Sequence, residues 1–174
     1  MHTPSFLAVL TALVLSIVST DAWGQGGRFG GGIIAPGSPP VTLSGTSGGP
    51  RQANSVNSSC RGTIAMVPDH VFTVTTPMSV RFEVITATGD TTLVVIGPSG
   101  VFCDDDGGNS FNPRVNRHVM PGQYQVYVGS YSSGQMHPYT IQVSGQGGMV
   151  PVAPVINTAA RFGTAMLNIG PMFA

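Results

Sequence analysis

Between residues 79 and 143 the chain is built of short segments in which apolar and polar residues alternate. Each segment is closed by glycine, proline or aspartate. Ser79-Val80-Arg81-Phe82-Glu83-Val84 is the clearest, with Val80, Phe82 and Val84 on one face and Arg81 and Glu83 on the other. A period of two marks a half-buried strand, because successive side chains of extended backbone point to opposite faces. Gln123 to Val128 repeats it with Tyr124, Val126 and Val128 inward, and Tyr139 to Val143 with Tyr139, Ile141 and Val143 inward. Thr91-Thr92-Leu93-Val94-Val95-Ile96 is different. Its unbroken run of β-branched and apolar residues predicts a central strand buried on both faces. Further strand candidates are Val41 to Ser44, Thr63 to Val67, Val71 to Thr75, Val101 to Cys103 and Val115 to Met120. Pro68-Asp69, Gly89-Asp90, Gly97-Pro98-Ser99-Gly100 and Pro121-Gly122 supply turns. Seven to eight short strands at near-regular spacing predict an all-β chain, an antiparallel β-sandwich with disordered flanks.

Composition agrees. The 24 glycines and 14 prolines in 174 residues oppose helix. Charged residues are only 8% of the chain, there is no lysine, and the formal net charge is zero. Nothing electrostatic therefore recommends nucleic acid as a partner.

Residues 1–22 read as a signal peptide: Phe6 to Val18 is a largely apolar run, short for a membrane span, and Thr20-Asp21-Ala22 offers a cleavage site. The segment before it, Met1 to Ser5, lacks the usual basic residue. Residues 23–40 have Gly/Pro-rich linker composition, residues 41–144 form the β-sandwich domain, and residues 145–174 are a flexible apolar tail. No other segment is long enough to cross a bilayer as a helix, so no transmembrane span is expected in the mature chain. In an exported chain two cysteines most simply form one disulfide, Cys60–Cys103. A reactive or metal-binding thiol, the alternative, would call for CxxC neighbours, and none exist.

Gly89-Asp90-Thr91-Thr92-Leu93-Val94-Val95, then Gly97-Pro98-Ser99-Gly100 and Cys103-Asp104-Asp105-Asp106, form a pattern that resembles the bacterial pre-peptidase C-terminal domain family. Pro121 to Tyr131, closing on Tyr139-Thr140-Ile141, is similar to it as well, so the resemblance spans about residues 60–144. It implies a jelly-roll-like β-sandwich of secreted proteins, usually appended to exported enzymes and not catalytic itself. Some members bind calcium or help attach to polymers such as collagen. This sequence departs from the pattern in carrying one copy with no enzyme domain. It has no carboxylate in Gly45 to Ser59, the edge where the calcium-binding members hold their ion.

Any calcium site must therefore come from the Asp loop itself. Three adjacent carboxylates repel one another, and calcium would offset that cost. Asp104, Asp105, Asp106 and Asn109, with Asn112, supply oxygens, and Gly107-Gly108 lets the loop wrap. The loop is not an EF-hand, because the closing glutamate is missing. The other reading is a solvated turn, where Asp, Gly and Asn are favoured for backbone reasons, with Arg114 or Arg117 pairing an aspartate. Calcium is the one candidate cofactor.

His70, His118 and His137 lie on separate segments, and no zinc motif or Ser/His/Asp set is legible, so the chain is not expected to be an enzyme. Tyr127, Tyr131 and His137 are the candidate ligand surface, since exposed aromatics offer rigid contact area with a polar tip; the alternative is that Tyr131 covers the sandwich edge. The expected function is an exported non-catalytic module that binds an extracellular polymer or protein. The alternative is an envelope-associated structural protein docking through its tail. Secretion, or a periplasmic or cell-surface address, goes with both.

Overall fold

The computed structural model describes residues 26–146. The expected signal peptide, the first residues of the expected linker and nearly all of the expected tail lie outside the described residues. The described part is two β-sheets packed face to face. The strands are β1 (Gly31–Ile34), β2 (Val41–Thr46), β3 (Arg51–Gln52), β4 (Thr63–Ile64), β5 (His70–Val74), β6 (Met78–Ile85), β7 (Thr91–Gly97), β8 (Gly100–Asp104), β9 (Arg114–Val119), β10 (Gly122–Ser130) and β11 (Pro138–Gln146).

The smaller sheet is antiparallel in the order β2-β11-β6-β9. In the larger sheet β10 is the hub, flanked by β7 on one side and by β5 on the other, with β8 outside β7 and β1 outside β5. Beyond the end of β5, β4 meets β10 at Ser130 and carries β3 outside it. Between β5 and β4 the edge of β10 is served by a side chain. The Asp69 carboxylate accepts the Val128 N–H at 2.9 Å, where a strand carbonyl would otherwise do so.

The alternating strands place their apolar faces as the sequence predicts. Val80, Phe82 and Val84 of β6, Tyr124, Val126 and Val128 of β10, and Tyr139, Ile141 and Val143 of β11 are all buried in the inter-sheet core. Residues 91–95 of β7 are buried on both faces: Leu93 and Val95 join that core, and Val94 joins a second cluster on the outer side of the larger sheet. The expected strand Thr63 to Val67 is shorter, because Met66 and Val67 leave the sheet and are exposed.

The linker reading of residues 23–40 needs correction for its second half. Gly31–Ile34 runs parallel to β5 with Ile34 fully buried, and β1 is the one parallel neighbour among antiparallel pairs. Glycine composition hid a strand whose glycines have a packing reason. A side chain on Gly31 would collide with the Val71 carbonyl, so the bare backbone lets β1 close on β5. The Arg28 and Phe29 amides bond the Pro68 and Asp69 carbonyls, and Arg28 pairs with Asp69 at 2.9 Å. At the other end, β11 runs two residues past the expected boundary at residue 144.

Candidate functional site

The outer face of the larger sheet is roofed between β3 and β4. A short 3-10 turn, Ala53–Ser55, and the following loop fold over Val94, Tyr127 and Ile64, with Ala53 and Cys60 packed against them. Cys60 is disulfide-bonded to Cys103 on β8, with Cα atoms 5.2 Å apart, which fastens the roof to the sheet. Inside the roof the Asn57 carboxamide oxygen accepts the Ser59 N–H at 3.0 Å and the Ser59 hydroxyl at 2.8 Å, a local Asx turn.

Where roof meets sheet lies a concavity of about 540 Å³ lined by Gln52, Asn54, Ser58, Arg61 and Tyr131, with the disulfide at its wall. Tyr131 is 46% exposed, and its N–H is held by the Asp90 carbonyl at 3.1 Å. Arg61 leans toward Asp105, 3.6 Å away.

Of the expected ligand surface, only Tyr131 lines this groove. Tyr127 is a correction: it is buried, because its side of β10 is covered by the roof, and its hydroxyl donates to Gln125 Oε1 at 3.2 Å. Period-two alternation placed it off the main core, but only the long-range roof decides that this outer face is dry. His137 is half-buried against Gly89, on the same turn that holds Tyr131, and its ring meets Gln135 Oε1 at 3.2 Å. Gln52, Asn54 and Arg61 belong to no motif that sequence reasoning singles out; the signal for the first two is the polar amide and hydroxyl content just before Cys60.

Two of the three aspartates of the 103–109 stretch, Asp104 and Asp105, turn to separate partners. Asp104 Oδ2 accepts the Gly107 N–H at 2.7 Å and the Arg114 N–H at 2.8 Å, closing the loop on itself. A side chain on Gly107 would press into that carboxylate. Asp105 faces Arg61. Asn112, whose side-chain nitrogen donates to the Asn109 carbonyl, uses its carboxamide oxygen for the Thr86 N–H at 2.9 Å. Burial first, then the Asp106 and Asp105 carboxylates, raise the pKa of Asp90. Among the described residues no three His, Cys, Asp or Glu side chains are grouped to hold a metal ion.

The histidine beside an aspartate, His70 after Asp69, is buried and structural in its contacts. His70 Nε2 is 2.7 Å from the Tyr139 hydroxyl, which joins the two sheets. Burial lowers the His70 pKa to about 4, against the opposing pull of the Gly30 and Phe29 carbonyls, so the ring is neutral near pH 7. Burial likewise pushes the Tyr139 phenol up. Asp69 is raised to about 6 by burial, which outweighs the Val128 N–H and Arg28.

No family model matches the chain. An uncharacterized protein of Synechococcus elongatus is 33% identical over 147 residues, covering 82% of this chain and 96% of the relative. The chain belongs to that protein's family. Among solved structures, the chain is similar to the pre-peptidase C-terminal domain of collagenase from Bacillus anthracis, at 17% identity and a TM-score of 0.42, covering 66% of this chain and 94% of that one. It is similar also to PliG of Aeromonas hydrophila, a periplasmic inhibitor of g-type lysozyme, at 13% identity and a TM-score of 0.42, covering 67% and 99%.

Proposed function

We propose that the protein is an exported, non-catalytic β-sandwich module that holds an extracellular polymer or protein partner in the groove beside Tyr131. The observation that carries the reading is the groove itself: a concavity of about 540 Å³ with an exposed tyrosine and several polar side chains on its lining. Its volume falls in the range of small-molecule and chain-end sites. The signal-like N-terminus supports export, and a disulfide suits an oxidising compartment. The non-catalytic reading is supported by the use of Asp69 and His70, whose side chains are taken up by Arg28, Val128 and Tyr139.

The test is binding of the full secreted chain to glycan and protein arrays, repeated with Tyr131→Ala and Arg61→Ala. Both side chains are exposed, so the variants should fold. At least one ligand should be retained by the parent chain and lost by the variants. A parent chain that binds nothing, or binding that both variants keep, would overturn the reading.

A further inference from the structure

We infer that the ligand of the Tyr131 groove is a neutral oligosaccharide chain. This rests on the binding-module reading above and names the chemical class of its ligand. The lining gives three reasons. First, it is polar without being strongly charged. Gln52 and Asn54 bring carboxamides that, among the described residues, make no side-chain hydrogen bond, and Ser58 brings a hydroxyl. A carboxamide both donates and accepts in one plane, which matches the paired hydroxyls of a pyranose. Second, the one large apolar surface on offer is an aromatic face. Tyr131 is exposed at the groove's edge, and no aliphatic side chain lines a pocket where a peptide residue could anchor. An aromatic ring packs on the C–H face of a sugar while its polar tip stays wet. The bulky exposed apolar residues, such as Ile33, Met66 and Phe111, lie outside this lining.

Third, the groove's single cation is already matched. Arg61 faces Asp105, and Asp105 and Asp106 act together on Asp90. The carboxylates on that side would repel a uronic acid chain, so charge favours a neutral one. The groove is also held in shape before any ligand arrives, by the Cys60–Cys103 bond, the Asn57 turn and the Tyr131 amide on Asp90. Preorganisation of this kind lowers the ordering cost of binding.

The experiment is amide-resolved NMR on the isotope-labelled full secreted chain, titrated separately with cellohexaose, chitohexaose, trigalacturonate and a casein hydrolysate. One or both neutral hexasaccharides should shift the Gln52 and Asn54 side-chain amides and the Arg61 and Tyr131 backbone amides. Tyr131→Ala and Asn54→Ala, each checked for an unchanged melting temperature, should weaken that binding roughly tenfold. Trigalacturonate should bind more weakly than the neutral chains. Two silent hexasaccharides would overturn the inference. If the hydrolysate then moves the same four groups, the binding-module reading survives with a peptide as its ligand. If the arrays are silent as well, both readings fail. Tighter binding of trigalacturonate would overturn the neutral assignment.

Discussion

The outer faces of the two sheets are opposites. On the larger sheet, the face carrying Val94 and Tyr127 is roofed by residues 53–60, dried and pinned by a disulfide. On the smaller sheet, the corresponding face of β6 carries Ser79, Arg81 and Glu83, all half-buried, with Glu83 lying 3.7 Å from Arg81 and 3.6 Å from Arg114. The sequence records the contrast strand by strand. β7 shows no alternation because residues 91–95 are buried on both sides, and β6 alternates because its outer side is left unroofed. The roof, rather than the sheet, creates the groove: the proposed binding site sits where a polar loop has been fastened over an apolar face.

Breaking the fastening should have the largest effect. Cys60→Ala with Cys103→Ala removes a cross-link over a sequence separation of 43. It should cost about 4 kcal/mol in urea unfolding, on the chain-entropy estimate for a loop of that size. A loss under about 1 kcal/mol would mean that the roof holds by packing alone.

Tyr127→Ala should come next, at about 3 kcal/mol, because it empties the space under the roof. The same truncation of Tyr131 should be nearly silent in stability, since that side chain is half in water. Equal losses at the two tyrosines would dissolve the distinction between floor and groove.

The seam where β5 meets β11 predicts opposing pH effects. His70 is depressed to about 4 from an ordinary 6.5, so its protonation is taken up more readily by the unfolded chain. Its contribution to stability therefore falls as pH drops from about 6.5 to about 4. Asp69 is raised from 3.8 to about 6, so the folded chain takes its proton first, and its contribution falls as pH rises through that window. Relative to the parent, Asp69→Asn should steepen the gain of stability with pH between 4 and 6.5, and His70→Gln should reverse the change. Denaturation midpoints across that range check it; parallel curves for all three proteins would refute the opposition.

On the unroofed face, Glu83→Gln should cost about 1 kcal/mol, since the carboxylate is half-buried but its arginine partners are partly in water, and less at high salt. Smallest of all, several millimolar calcium should shift the melting temperature no more than magnesium at equal ionic strength, since Asp104 already carries two N–H groups. A calcium-specific rise lost in Asp105→Asn would return the ion to that loop.

The strands of the sandwich were legible where burial follows a local period. β6, β7, β10 and β11 lie within a residue or two to three of their sequence limits, because alternation or its absence is written in the strand itself. The pairing of Cys60 with Cys103 was legible because there are only two cysteines to pair. β1 was hidden, since Gly31 and Gly32 carry no pattern and gain their meaning from the β5 backbone they lie against. Tyr127 and Tyr131, four residues apart, looked alike in sequence, yet one is floor and the other rim.

By itself the sequence determined the all-β class, the inward faces of the strands and the one possible cross-link. Each follows from local periodicity or from counting, and neither needs to know what lies across the fold. Only the tertiary structure decided which outer face is roofed, that a glycine-rich stretch pairs in parallel, and that Gln52, Asn54, Arg61 and Tyr131 share one groove. Those facts depend on bringing together residues up to about eighty positions apart, as Gln52 and Tyr131 are on one groove, and long-range proximity leaves no period along the chain.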